Sequence, residues 1–307
     1  MGIPVTHVFG CDCLLASKNF CTSNFVMHNW YPDVLGDEFA HAPPVMFFSA
    51  GFQCQPYSSQ GLHQGRHDPR ARALLSVLKY IVKQPQPMMI FLENVKGLLQ
   101  KTHVTWLATI IEYIEAAGYE VNARVLDTKD YGLPQRRKRL YLCGVLKKFK
   151  HHTLCWPAKR PRRPFKSMLD VRLSNGDVSR LRKWSKRQKQ RVVECVKRII
   201  DGGEGDPFNQ HFIIDCDNGF DSAQHPRLDL CPTITKARGS SRAFFSTKAW
   251  RRLSHSELAS LQGFRDELFD RSMVPPSVFG GMVGNAMTID VVMGVIRSLL
   301  DSVGLTL

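Results

Sequence analysis

Cys54 stands in the stretch GFQCQPYSSQG (51–61), directly after the apolar run 45–50. Free cysteine is among the most buried residue types, so a core thiol is one reading. Its glutamine, proline and serine neighbours belong to a loop. A loop thiol at the carboxyl end of a strand can be a nucleophile where a positive environment favours the thiolate. Glu93 directly follows the apolar Met88–Leu92 and precedes Asn94. A carboxylate there either caps the next segment or works in a cleft, and spacing weighs the two evenly. In DYGLPQRRKRLYLCGV (130–145), an extended chain puts Gln135, Arg137 and Arg139 on one face and turns Arg136 and Lys138 to solvent. Such a face is either a polar sheet edge or an arginine pair aimed into the cleft of Cys54 and Glu93.

The elements that must position these groups are legible as alternating segments. Short apolar runs at 5–11, 45–50, 88–92, 119–126 and 139–145 read as strands. Stretches 74–82 and 104–117 have helical spacing, the second ending at Gly118. Strands separated by helices predict a mostly parallel sheet with helices on both faces, whose working residues lie beyond the strands' carboxyl ends. From about 148 the pattern changes to the Pro-rich, basic WPAKRPRRPFK, a basic helical stretch at about 179–201, the breaker GGEGD and the strand-like HFIID (211–215). After Cys231 the α/β character returns. Ser254 to Glu257 forms a capping-box signature, and a final helix is expected over about 285–300. The predicted organisation is a domain of 1–147 plus 232–307, with an inserted basic module at 148–231.

Composition narrows the partners. Apolar content of 43% and charged content of 22% are globular, and no apolar run reaches the roughly 20 residues of a membrane helix. The net charge of +15 is local: residues 146–200 carry 18 Lys and Arg against Asp170, Asp177 and Glu194, an excess of 15. Such a concentration favours a polyanion, nucleic acid first and an acidic protein second. The bland alternative is a solvated face. Nine cysteines, none in a C-x2-C pair, argue against zinc and fit a reducing intracellular compartment.

These motifs, in order and spacing, resemble the C5-cytosine methyltransferase family. GFQCQPYS is similar to its catalytic Pro-Cys loop, FLENVKGLL to its Glu-Asn-Val motif and LPQRRKR to its Gln-x-Arg-x-Arg motif. LASLQGF (258–264) and GGMVGNAM (280–287) are similar to its last two motifs. The resemblance implies a Rossmann-like α/β sheet using S-adenosylmethionine, with 148–231 as target-recognition domain. By it, Cys54 attacks C6 of a flipped cytosine, Glu93 holds N3 and the exocyclic amine, and Arg137 and Arg139 steady thiolate and ring. Gln55, Ser58, Asn94 and Gln135 would touch the substrate. Asp12, Asp33 (with Asp37 as fallback), Gly51 and Asn285 would hold the cofactor. The implied partner of this monomer is double-stranded DNA, with no metal and no membrane, inside the cell and in the nucleus of a eukaryote.

The sequence also departs from the pattern. The family's opening strand and Phe-x-Gly-x-Gly turn, which cradle the methionine end of the cofactor, are not found; HVFGCD matches its second strand. The expectation is an N-terminally truncated chain, a sheet lacking its first strand and weak or absent cofactor binding. Gln53 replaces the proline before the cysteine, Met46 a frequent aspartate and Ala71 a usual glycine. A tRNA-modifying branch typically has Thr where Ser58 stands, with a Cys-Phe-Thr tripeptide that this sequence lacks, so DNA is favoured. The remaining alternative is an inactive DNA-binding protein.

Overall fold

The computed structural model describes residues 4–52, 72–176, 184–218 and 225–305. The chain divides into two compact units. The first is Met1–Asp127, Lys138–Ala158 and Val291–Leu307; the second is Thr128–Arg137 and Lys159–Asp290.

The first unit alternates strands and helices: β1 (Phe9–Cys11), α1 (Leu15–Asn24), β2 (Asn29–Tyr31), α2 (Asp37–Ala40), β3 (Phe47–Gly51), α3 (Arg72–Val82), β4 (Met89–Val95), α4 (Val104–Ala116), β5 (Tyr119–Asp127) and β6 (Lys138–Leu146). Helix α3 buries Leu74, Val77, Leu78 and Ile81, the i, i+3, i+4, i+7 set of one helical face. Strand β4 is buried from Met89 to Asn94, which is why its sequence is a continuous apolar run rather than an alternation. The sheet order is β3-β4-β6-β5, with β3 parallel to β4 and β6 antiparallel to both neighbours. The expected mostly parallel sheet is therefore a mixed one. The connection 128–137 is shorter than the dozen or so residues that a parallel crossover needs, so β6 must run back along β5.

Strands β1 and β2 form a separate parallel pair. Among the described residues, β1 is hydrogen-bonded to β2 alone and β3 to β4 alone. Rings join the two sheets on one side: Phe9 lies 6.3 Å from Phe48 and 5.6 Å from Tyr80, centroid to centroid, and 6.2 Å from Phe39.

The second unit contains α5 (Lys186–Asp201), β7 (Phe212–Asp215), β8 (Arg227–Leu228), α6 (Lys236–Ser241), β9 (Phe244–Ser246), β10 (Arg251–Arg252), α7 (His255–Leu261) and α8 (Pro276–Asn285). The final helix, α9 (Ile289–Ser302), belongs to the first unit from Val291 onward. The second unit's antiparallel sheet has the order β10-β9-β7-β8. The capping box expected at α7 is present: Ser254 Oγ accepts from Glu257 N, and Glu257 Oε2 accepts from Ser254 N.

The compact units do not divide at 231/232: 232–290 packs with 159–231. Strand β9 accounts for this, since it pairs with β7 (Ile213 with Ser246, Ile214 with Phe245), and within 232–290 α8 is packed closely on α6. A Cβ on Gly239 would lie 2.0 Å from Gly280 O, and one on Gly284 would lie 2.2 Å from Thr235 O. Only glycine permits such backbone approach, so the glycines of GGMVGNAM are packing residues that weld α8 to α6.

Candidate active site

Cys54, Gln55, Ser58, Gln53 and Ala71 lie outside the described residues. The structure does place what flanks the cysteine loop. Gly51, exposed at the end of β3, pairs in register with Glu93 on β4. Asn94, 1% exposed, donates from Nδ2 to Phe52 O at 3.3 Å, while its Oδ1 accepts from Val95 N. The end of β4 is thus tied to the residue two before Cys54. Asn94 is a tether at this position.

Glu93 and Arg139 are brought together. Arg139 is in register with Val95, two residues along β4 from Glu93, so the two side chains are diagonal neighbours on one face. Arg139 Nε lies 3.0 Å from Glu93 Oε1, with side-chain exposures of 14% and 11%. The contact is a charge pairing without hydrogen-bond alignment, and Glu93 Oε1 has no hydrogen-bond partner among the described residues. A buried carboxylate oxygen with capacity to spare is uncommon, and it suits a site that receives a donor from outside.

Gln135 and Arg137 belong to the second unit. Alternation served well here: Arg136 and Lys138 are exposed, while Gln135 and Arg137 are buried. Among the described residues, the buried face meets backbone carbonyls of the same unit. Arg137 donates from Nη1 to Ile234 O (2.9 Å) and Gly284 O (3.2 Å), and from Nη2 to Ala286 O (2.8 Å). Its guanidinium clamps the end of α8 to the segment before α6. Gln135 Nε2 donates to Leu261 O at 3.3 Å. Sequence reasoning did not single out Gln262, Thr288 and Thr128, which complete the clamp. Gln262 Nε2 donates to Val283 O (2.9 Å), Thr288 Oγ1 to Gln262 Oε1 (2.9 Å), and the hydroxyls of Thr128 and Thr288 lie 3.0 Å apart. Gln262 stands within LASLQGF, so its motif was visible although its role was not. Asn285, the last residue of α8, is exposed in this unit.

The candidate cofactor acids lie beyond the carboxyl ends of β1 and β2. Asp12 Oδ1 accepts from Leu14 N at 2.8 Å, Asp33 Oδ1 accepts from Leu35 N at 2.9 Å, and Asp12 N donates to Tyr31 O. Burial, reinforced by both carboxylates nearby, pushes the Cys11 thiol up to about 11. Each acid has one oxygen engaged locally and a second available, an arrangement that fits hydroxyl or amine donors such as those of ribose and adenine. Asp37 opens the short α2 and is exposed. Among the described residues, no group of three His, Cys, Asp or Glu could hold a metal ion.

The mixed α/β sheet, with its buried acid–arginine pair on β4 and β6, is consistent with a Rossmann-like methyltransferase fold. The model of the C-5 cytosine-specific DNA methylase family matches residues 33–301, and the chain belongs to that family. Type II methyltransferase M.NgoBI of Neisseria gonorrhoeae is 27% identical over 287 residues, 94% of this chain and 84% of that protein. Type II methyltransferase M.NlaIV of Neisseria lactamica is 38% identical over 151 residues, 45% of this chain and 35% of that protein. Matches of the latter kind span about a third of the relatives' length. Among solved structures, methyltransferase EhMeth of Entamoeba histolytica superposes with a TM-score of 0.66 at 16% identity, covering 96% of this chain and 89% of that one. The S. pombe Dnmt2 methyltransferase gives 0.63 at 16% identity, covering 97% and 92%. At these identities the structures establish the fold.

Proposed function

We propose that this chain methylates C5 of cytosine in duplex DNA through a covalent bond between Cys54 and C6. The observation that carries the reading is Glu93: a buried carboxylate oxygen lacking a hydrogen bond among the described residues, beside Arg139, on the strand whose next residue tethers Phe52. S-adenosylmethionine, when bound, supplies the electrophilic methyl group, and the Asp12 and Asp33 carboxylates suit its ribose and adenine. The protein's own groups do the rest. Cytosine C5 is a poor nucleophile until the Cys54 thiolate adds at C6 and pushes its electron pair toward C5. Glu93 accepts from the exocyclic amine and shares a proton with N3, stabilising the ring as aromaticity is lost. Arg139 holds Glu93 in place and offers positive charge near the ring. After C5 is methylated, its proton leaves and the thiolate is eliminated, restoring the aromatic ring. A stacked base is out of reach, so the cytosine must be flipped, at a cost of a few kcal/mol. All the assigned groups lie on one chain, so a monomer suffices, acting on chromosomal DNA inside the cell.

The direct check is a trap. Duplex DNA carrying 5-fluorocytosine, incubated with the chain and S-adenosylmethionine, is expected to form an adduct stable to denaturing electrophoresis and absent in Cys54→Ala. No adduct in the parent chain, with cofactor-independent binding of the duplex, would leave an inactive DNA-binding protein instead. A tRNA substrate trapped in preference to DNA would reassign the substrate.

Cofactor affinity is a separate expectation. With β1 and β3 each paired along one edge among the described residues, and no Phe-x-Gly-x-Gly turn in the sequence, binding is expected to be weaker than micromolar. Isothermal titration with S-adenosylmethionine checks this, and micromolar affinity would refute it.

A further inference from the structure

Positive charge in the second unit comes in two kinds. The Pro-rich segment is paired at three of its five cations. Lys159 Nζ lies 3.4 Å from Asp130, Arg160 Nη2 lies 3.7 Å from Asp290, and Arg163 Nη2 lies 3.0 Å from Asp290, with Arg163 Nε donating to Gly132 O. Asp170 likewise takes Arg172, Asp215 takes Arg238 and Glu257 takes Arg251. Each of these cations has a carboxylate beside it, whereas Arg162 and Lys166 of the Pro-rich segment are exposed and make no ion pair among the described residues.

Helix α5 is different. Its N-cap Ser185 accepts from Gln188 N, the Gln188 amide donates to Asp217 Oδ1 at 2.9 Å, and Arg191, Val192, Cys195 and Ile199 are buried. The helix is thereby fixed in rotation. Lys186, Arg187, Lys197 and Arg198 are exposed, and none of the four makes an ion pair among the described residues. Eleven residues are three turns plus about 20°, so the doublets 186/187 and 197/198 repeat on one side of the helix, roughly 16 Å apart. Of the two acids on α5, Glu194 accepts from the Gln190 amide at 3.1 Å and Asp201 is the last residue.

Taking duplex DNA as the substrate, as proposed above, we infer that α5 is a phosphate-gripping helix. Its two cationic doublets engage phosphates on opposite rims of one groove, and the ion-paired Lys159, Arg160 and Arg163 contribute less. The spacing carries the geometry: roughly 16 Å exceeds the major groove's width of about 12 Å, so one doublet reaches each rim. An ammonium or guanidinium reads phosphate without reading sequence, so this surface supplies affinity and register, and leaves base selection to other elements.

The experiment is a salt titration of duplex binding by the full chain without cofactor. Log affinity falls against log salt with a slope of about −0.9 per phosphate neutralised. Replacing Lys186, Arg187, Lys197 and Arg198 by serine is expected to make the slope shallower by about 3 to 4 and to weaken binding at least about tenfold near 0.1 M salt. The Lys159→Ser, Arg160→Ser, Arg163→Ser variant should change it by less than about 1. Thermal unfolding of both variants verifies folding, and a Lys197→Ser, Arg198→Ser double variant provides a milder form expected to show about half the slope change. A slope change below about 2 in the quadruple variant, or one matched by the Pro-rich variant, overturns the inference. So does loss of duplex RNA binding with duplex DNA binding retained. The 5-fluorocytosine adduct at saturating DNA keeps the two proposals apart. A parent chain that shows the full slope but no adduct fails as an enzyme while the helix stands. A quadruple variant with unchanged slope and intact adduct does the reverse.

Discussion

Glu93→Gln is expected to lower the methyl-transfer rate by at least about 100-fold while leaving DNA affinity within a few-fold, because a preorganised charge facing a developing one is worth that much in a closed site. Glutamine preserves the shape of the side chain and removes its charge. The altered ring then loses the carboxylate that accepts from its amine and balances its N3 proton. The same change strands Arg139, whose partner lies 3.0 Å away with both side chains largely buried, so a stability loss of about 1–3 kcal/mol should accompany it. Single-turnover kinetics give the first quantity and urea unfolding the second. A rate within tenfold of the parent would show that the pair is structural and that the cap reading of Glu93 was the better one.

Arg137→Lys is expected to do the opposite: unfold the protein more easily and leave chemistry nearly alone. The three carbonyls that the guanidinium serves, at Ile234, Gly284 and Ala286, point at it from different segments. A planar fork with several donors can meet that arrangement, whereas a lysine ammonium at the end of a flexible stem cannot reach all three. Orphaned buried acceptors cost about 1–3 kcal/mol each, and partial rescue by the ammonium brings the expected total to about 2–4 kcal/mol. Corrected for folded fraction, the rate should stay within about tenfold. A large rate defect at undiminished stability would return Arg137 to the catalytic set that the sequence resemblance gave it.

The contrast between these two residues shows what a sequence discloses. Period-two alternation separated the buried Gln135 and Arg137 from the exposed Arg136 and Lys138. Alternation does not say what a face meets. For Arg139 it is the carboxylate of a neighbouring strand; for Arg137 it is the backbone of a glycine-packed helix some 150 residues along the chain. Strands β3 to β6 and helices α3 and α4 were legible because their apolar periods are long and uninterrupted. The capping box at Ser254 was legible because it is a local exchange of hydrogen bonds. Strand β2 and the two-residue β8 and β10 are too short to carry a period. Helices α6 and α8 are rich in Gly and Ser, poor helix formers that serve close packing, so propensity argues against them. The reversed direction of β6 and the boundary between the units reside in which segments touch, and composition does not register that.

The seam between β1 and β3 has a mechanical meaning. Elsewhere in the first unit, adjacent strands are joined by ladders of directional bonds, which resist sliding. Across the seam the contact is made by aromatic rings, which tolerate rotation and small shifts at modest expense. With no ladder to β3 among the described residues, the lobe that carries Asp12 and Asp33 can adjust its distance from β3 without breaking backbone hydrogen bonds. A nucleotide gripped by those two acids would be held by a jaw with give in it.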